Sequence, residues 1–382
     1  MPDLTRLPGP LRLCENLRIR HEQVSETLPS RAHRYDTNGG LCRRPRNFLV
    51  VPASYRNGMS GTMTSILPAP SDVLRHPAAT EPLEVEWVFV LGIVFYHLAA
   101  ALAFLPWFFS WTGVACATLG IYVFGVLGIN LGYHRLLAHQ SFSCPKWLEH
   151  TFAVLGICCL QDSPARWVAI HRRHHHHTDD EQDPHSPLAG FLWAHIGWVL
   201  VKSKDLMRDQ LFERYAKDLI RDKFYAWVEK SYAWIWIVFV LWMVFFAVGF
   251  GIELLAGGTA AEGLQFGLSL VVWGVFVRTV IHWHFTWSVN SVTHLWGYRN
   301  YDTPDGSRNN AVIAFISNGE GWHNNHHADP RSAKHGHRWW ELDVAWLTIR
   351  FLMLIGLARH IAMPTTLRLQ ELDRRSGAGE SL

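Results

Sequence analysis

The stretch Trp87-Val-Phe-Val-Leu-Gly-Ile-Val-Phe-Tyr-His-Leu-Ala-Ala-Ala-Leu-Ala-Phe-Leu-Pro106 carries no Asp, Glu, Lys or Arg, and the charge-free run continues through Pro106-Trp-Phe-Phe-Ser-Trp-Thr-Gly113 to Tyr133. About 20 apolar residues cross the hydrocarbon core of a bilayer as a helix. The run therefore reads as two spans, 87 to 106 and 112 to 133, with a Pro- and Gly-bounded turn between them. A third charge-free run extends from Ser231 to Ile252, and a fourth, Leu264 to Trp287, is interrupted only by Arg278. The expected fold class is an all-α integral membrane protein with four transmembrane helices.

Charge is distributed unevenly along the 382 residues, 49% of which are apolar and 19 of which are tryptophan. The segment from Arg135 to Lys230 is rich in Lys and Arg, whereas the short links near 107–111 and 253–263 contain neither. By the excess of basic residues in cytoplasmic loops, the basic face and both termini are expected in the cytoplasm, in a bacterial inner membrane. The net charge of +3 argues against nucleic acid as a partner, and the basic segment suits anionic lipid or an acidic head group. Six cysteines, with no CxxC pair among them, fit a reducing compartment and receive no role. Residues 1–80 mix Pro, Arg, Ser and Thr and lack a secretory signal, so they read as a flexible extension. Met59 and Met63 are alternative starts that N-terminal sequencing would test. Residues 81–362 form the expected membrane domain, and 363–382 a polar tail.

Three short histidine clusters lie beside these apolar runs: His134-Arg-Leu-Leu-Ala-His139, His171-Arg-Arg-His174-His175 and His323-Asn-Asn-His326-His327. Imidazole is the commonest nitrogen ligand for iron and zinc, and no set of cysteines or carboxylates here competes with it. Histidines at i, i+3 and i+4 share one face of a helix, so each triplet can offer convergent ligands. His134 and His139, at i and i+5, are about 140° apart on an ideal α-helix, which places one of them at a helix end. Because span two precedes the first cluster and span four the third, crossing parity returns all three clusters to one membrane face. His176 and His177 extend the second cluster and are assigned to solvent or to supporting contacts. His97, His150, His195, His282 and His284 are assigned to packing or hydrogen bonding. A divalent-metal transporter or store is a competing reading, but it needs polar residues within several spans, and these runs are nearly free of acids.

The three clusters, together with Asp183-Pro-His185, Gly190-Phe-Leu-Trp-Ala-His-Ile-Gly-Trp198, Asn290-Ser-Val-Thr-His294-Leu-Trp-Gly-Tyr298 and Gly319-Glu-Gly-Trp-His323, resemble the membrane fatty acyl desaturases of the acyl-CoA delta-9 class over about residues 85–360. The resemblance implies four transmembrane helices topped by a cytosolic helical cap that carries a histidine-ligated di-iron site. It implies His134, His139, His171, His174, His175, His294, His323, His326 and His327 as ligands to two iron ions, with Asn290 binding through water. It further implies Gln161, Trp167, Thr286 and Trp287 around the bend of an acyl tunnel. Asp183 would orient a ligand histidine, since such rings donate their other N–H to an acceptor. The expected reaction is O2-dependent insertion of a cis double bond, delta-9 by family, into a saturated acyl chain carried by CoA or lipid. No haem segment is evident at either end, so the electrons are expected from a separate ferredoxin or cytochrome b5-like donor with its reductase. Ile170 and Lys202-Ser203 depart from the acid and the paired basic residues of the animal enzymes, which leaves the carrier open. A membrane di-iron hydroxylase or ketolase is the nearest alternative, and a hydroxylated product would distinguish it.

Overall fold

A computed structural model describes residues 76–377 of the chain. Among these residues four helices are long and apolar enough to cross a membrane: Trp87–Phe104, Trp111–Ala138, Ala233–Leu255 and Ala260–Val292. Their number agrees with the charge-free runs, but two of them outlast those runs at the end that bears the histidines. The second continues past Tyr133 to Ala138, so His134 lies inside it, and the fourth continues past Trp287 to Val292, carrying Asn290 with it. Polar residues extend both helices because these last turns are buried against protein and not against lipid.

The short links 105–110 and 256–259 lie together at the opposite end of the spans from the histidines. Ser110 caps the second span by accepting from Gly113 N at 2.9 Å, and Thr259 and Glu262 form a reciprocal capping box at the start of the fourth. The first and third spans leave most of their side chains exposed, as with Val88, Leu91, Trp236 and Met243, whereas the second and fourth are about half buried. Two inner helices are thus flanked by two that face the bilayer. Arg278, the charge within the fourth span, is fully buried; its guanidinium donates to Cys158 O at 2.8 Å and Gly274 O at 2.9 Å and lies 4.4 Å from the Phe124 ring centroid. Carbonyls and an aromatic face together satisfy a cation that hydrocarbon could not.

The remaining described residues fold into a helical cap on the histidine end. Helix Lys146–Ile157 returns along the second span so closely that a Cβ at Gly128 would lie 2.3 Å from Gly156 N. Gly128 is therefore required for backbone-to-backbone packing, and Gly156 because a Cβ there would lie 2.4 Å from the Tyr133 ring. Helix Pro164–His177 begins with Ser163 capping Arg166 N and Pro164 in the first turn, and it ends on the histidine run. The third cluster occupies a short helix, His323–Ala328. At the start of the described chain, His76 stacks on Trp193 at 4.3 Å and Thr80 is buried, so residues 76–80 of the segment expected as a flexible extension pack on the cap. The rest of that expectation, with Met59 and Met63, lies outside the described residues. Within the polar C-terminal segment, Thr366–Gly377 is helical; Leu372 is buried and Arg368 Nε donates to Ala328 O at 3.1 Å.

Candidate metal centre and the cavity beside it

Nine histidines from the second span, the cap and the end of the fourth span converge as two groups. Nitrogens of His134, His139, His171, His175 and His326 lie within 4.8 Å of one another, and so do those of His174, His294, His323 and His327. Each triplet expected to act together is split between the groups. His171 and His175 point to one and His174 to the other; His323 and His327 face the second and His326 the first. Residues i and i+4 lie on one side of a helical stripe and i+3 on the other, so a stripe aimed between two centres serves both. His134 and His139 join one group for a reason that α-helical spacing missed. Residues 121–138 are π-helical, and His139 N donates to His134 O at 3.1 Å, five residues back. This wider turn sets the two rings edge to face with centroids 4.9 Å apart, His139 standing at the helix C-cap.

Four of the rings are held by carboxylates at Nδ1: His134 by Glu320 at 2.6 Å, His174 by Asp183 at 3.0 Å, His294 by Asp179 at 2.9 Å and His327 by Asp305 at 3.0 Å. A ring that donates Nδ1–H presents a bare Nε2 when neutral. Those Nε2 atoms face other Nε2 atoms. His134 and His326 are 3.1 Å apart, His294 and His323 3.1 Å, His175 and His326 2.9 Å, and His139 and His171 2.7 Å, while His327 Nε2 is buried without a hydrogen-bond partner. One shared proton can satisfy one such pair, but His326 Nε2 faces two other Nε2 atoms and His327 Nε2 faces none, and a cation among the nitrogens would satisfy them all, so the donor set fits two metal ions.

The electrostatics agree with this geometry. Burial, reinforced by neighbouring histidines, pushes His139, His171, His175, His323 and His326 well below the ordinary imidazole value, and burial outweighs Asp305 to bring His327 down to about 4. These rings are neutral at physiological pH, the form that ligates a metal. His294 is the exception: burial opposes its charge, but Asp179 prevails and raises its pKa. Burial would also raise the carboxyls of Asp183, Asp305 and Glu320, yet their histidine and arginine partners hold all three below the usual range. Of these supporting acids only Asp183 was singled out from the sequence. Asp179, Asp305 and Glu320 arrive from loops with no spacing signal, although Glu320 lies within a quoted motif. Gly319, at φ +119° and with no room for a Cβ beside Asp343, turns the chain so that Glu320 reaches His134. Asp305→Asn is expected to lower the affinity of the second histidine group for a metal ion about 10- to 100-fold with the fold retained, as read by metal retained against a chelator.

Two further histidines border the groups, His185 beside His174 and His335 beside His326, with ring centroids 4.4 and 4.6 Å apart. His176 is exposed, and His177 bonds Asp180 at 3.0 Å. His97, His284 and His195 form a hydrogen-bonded chain, with steps of 3.2 and 3.0 Å, that joins the first span, the fourth span and the cap. His337 accepts from Tyr301 and donates to Lys334 O, and burial followed by the nearby His335 lowers it from 6.5 to about 3. Above pH 6.5 this ring is neutral folded or unfolded. Between 6.5 and about 3 the unfolded chain binds a proton that the folded one refuses, so the ring makes stability fall as pH falls. Thermal unfolding between pH 7 and 5 is expected to show a shallower acid loss in His337→Gln, by up to one proton's worth of slope.

A cavity of about 1090 Å³ runs beside the first histidine group, between the first, third and fourth spans and the cap. His171 and Asn290 contribute to its wall, and so do Gln161, Trp167, Thr286 and Trp287. Gln161 Nε2 donates to Thr286 Oγ1 at 2.9 Å, Trp167 Nε1 donates to Gln161 Oε1 at 3.3 Å, and Trp167 stacks on His171 at 5.1 Å. At the rim, Arg166 pairs with Asp162, Arg208 with Glu229 and Asp162, and Lys202 with Glu84 at 3.3 Å. Ile170 adds an apolar side chain beside His171.

Four apolar spans thus carry two histidine groups suited to metal ions, with an apolar cavity beside the first of them. Residues 109–352 match the family model described as fatty acid desaturase. The chain belongs to the fatty acid desaturase family. It is 41% identical to the sn-1 stearoyl-lipid 9-desaturase of Synechocystis sp. over 302 residues, 79% of this chain and 86% of that protein. It is also 41% identical to the sn-2 palmitoyl-lipid 9-desaturase of Nostoc sp. over 280 residues, 73% of this chain and 90% of that one. The icosanoyl-CoA 5-desaturase of Limnanthes douglasii is 40% identical over 284 residues, 73% of each chain.

Proposed function

We propose that this protein inserts a cis double bond at position 9 of a saturated acyl chain esterified to membrane lipid. The observation that carries the reading is an apolar cavity whose wall includes both His171 and Asn290 and the hydrogen-bonded Gln161, Thr286 and Trp167. The nine histidines would hold two iron ions, with Asn290 acting through water. Held there, iron would serve to activate O2, the oxidant, which with two electrons and two protons would accept one hydrogen from each of two neighbouring methylenes to leave an alkene and two waters. The chain's own contribution is position and exclusion. Trp167, stacked on His171, sets an apolar wall against the centre, and the Gln161–Thr286 bond fixes the wall where the chain must turn. Apolar lining keeps bulk water from the reacting carbons.

Two features favour lipid over CoA as the carrier. Arg166, Arg208 and Lys202 at the rim are paired with Asp162, Glu229 and Glu84, which leaves Lys204, donating to Glu81 O at 3.1 Å, as the rim cation bonded to a carbonyl alone, and Ile170 offers no polar contact. The lipid-linked relatives agree with that choice. The electrons come from a separate ferredoxin or cytochrome, and the cap faces the cytoplasm. Mass spectrometry with double-bond localisation, on lipids from a host without its own desaturase, tests the reading. New cis-9 monounsaturated chains in intact lipid are expected with the protein and absent with His294→Ala. Hydroxylated chains would move the assignment to a hydroxylase, and unsaturation appearing only in the acyl-CoA pool would overturn the lipid carrier.

A further inference from the structure

The cavity is not sealed from the bilayer. Val88 and Phe95 of the first span and Phe239 of the third line it, and they are 77%, 48% and 46% exposed. Gly92, also in its wall, has nothing within 4 Å of where a Cβ would lie. Deeper in the membrane the two spans meet: Phe95 stacks on Trp242 at 6.0 Å, and Trp242 Nε1 donates to Tyr96 OH at 3.2 Å. Above that seam the spans leave an opening, and at its upper end the strap around Val85 pairs with Val201, setting Glu84 and Lys202 beside it. An opening between two membrane-spanning helices, apolar in depth and polar at its upper edge, has the polarity profile of one lipid molecule.

We infer that this opening is a lateral slot through which a diacyl lipid feeds one acyl chain into the cavity from the cap-side leaflet, its head group resting at the Glu84–Lys202 edge and its second chain remaining in the bilayer. The inference rests on the lipid-linked reading above. A chain entering this way never crosses water, so no carrier has to extract it from the membrane. A second approach exists from the cap side, where Met207 borders the same cavity and is 61% exposed.

The two routes are separated by narrowing each in turn. Full-length enzyme, loaded with iron and supplied with a reductant, is placed in vesicles of distearoyl phosphatidylglycerol and monogalactolipid, and unsaturated lipid is measured over time. Val88→Trp/Phe239→Trp is expected to slow the reaction about ten-fold or more, with iron content and double-bond position unchanged, Met207→Trp to slow it less, and Leu91→Trp/Val240→Trp, exposed on the same spans but outside the cavity wall, to keep the wild-type rate. Unchanged bond position and iron show that the centre and the bend are intact, which a misfolded variant would not preserve. A wild-type rate in the Trp pair, slowing by Met207→Trp alone, or equal slowing by both overturns the lateral slot. Wild-type protein that converts stearoyl-CoA but no vesicle lipid overturns the lipid-linked reading itself, a result distinct from failure of the slot.

Discussion

His326→Ala is expected to abolish desaturation and to lower iron content from two ions per chain toward one. His326 is the meeting point of the first histidine group: its Nε2 lies 3.1 Å from His134 Nε2 and 2.9 Å from His175 Nε2, and it is fully buried. Alanine would remove the nitrogen and leave no side chain able to replace it. Loss of a single supporting partner typically costs about 10- to 100-fold in metal affinity, and loss of a ligand from the centre of the group should cost more than about 100-fold. The second group, His174, His294, His323 and His327, is left intact, so partial iron retention with complete loss of activity is the specific signature. Elemental analysis and product formation on the same sample check it. Full activity in the variant would remove His326 from the centre.

Arg135→Leu is expected to destabilise the protein by about 3–5 kcal/mol, because removing one partner of a buried ion network leaves the others uncompensated. Arg135 is completely buried at the end of the second span. Its guanidinium donates to Asp343 at 2.9 and 3.1 Å, to Glu320 at 3.0 Å and to Ala333 O at 2.7 Å. Without it two buried carboxylates face each other, and Glu320 is also the residue that orients His134. Thermal unfolding in detergent should therefore fall by roughly 10 °C, with weakened iron retention as a second readout. Arg135→Lys keeps the charge but loses the planar fork that reaches both acids, so an intermediate loss is expected. A variant as stable as the parent would mean that the acids are not held ionised by this arginine.

The sequence by itself pointed to the four spans, because charge-free runs of bilayer length have few other solutions, and to eight of the nine histidines that converge, because short histidine clusters are legible without a fold; His294 entered only through the family resemblance. The sequence did not reveal how those histidines are shared. The division of each triplet between two groups depends on where the helix stripe is aimed, and that is set by packing of the helices at 164–177 and 323–328 against the second span. The pairing of His134 with His139 required a π-helical turn, a backbone choice imposed by tertiary burial and invisible to a 100° periodicity. Asp179, Asp305, Glu320 and Arg135 were silent for a related reason: each meets its partner across more than 20 residues of chain, through loops whose course no local pattern encodes. Local periodicity specifies elements and faces; which carboxylate stands behind which ring, and where a cavity opens to lipid, is decided only when distant segments pack.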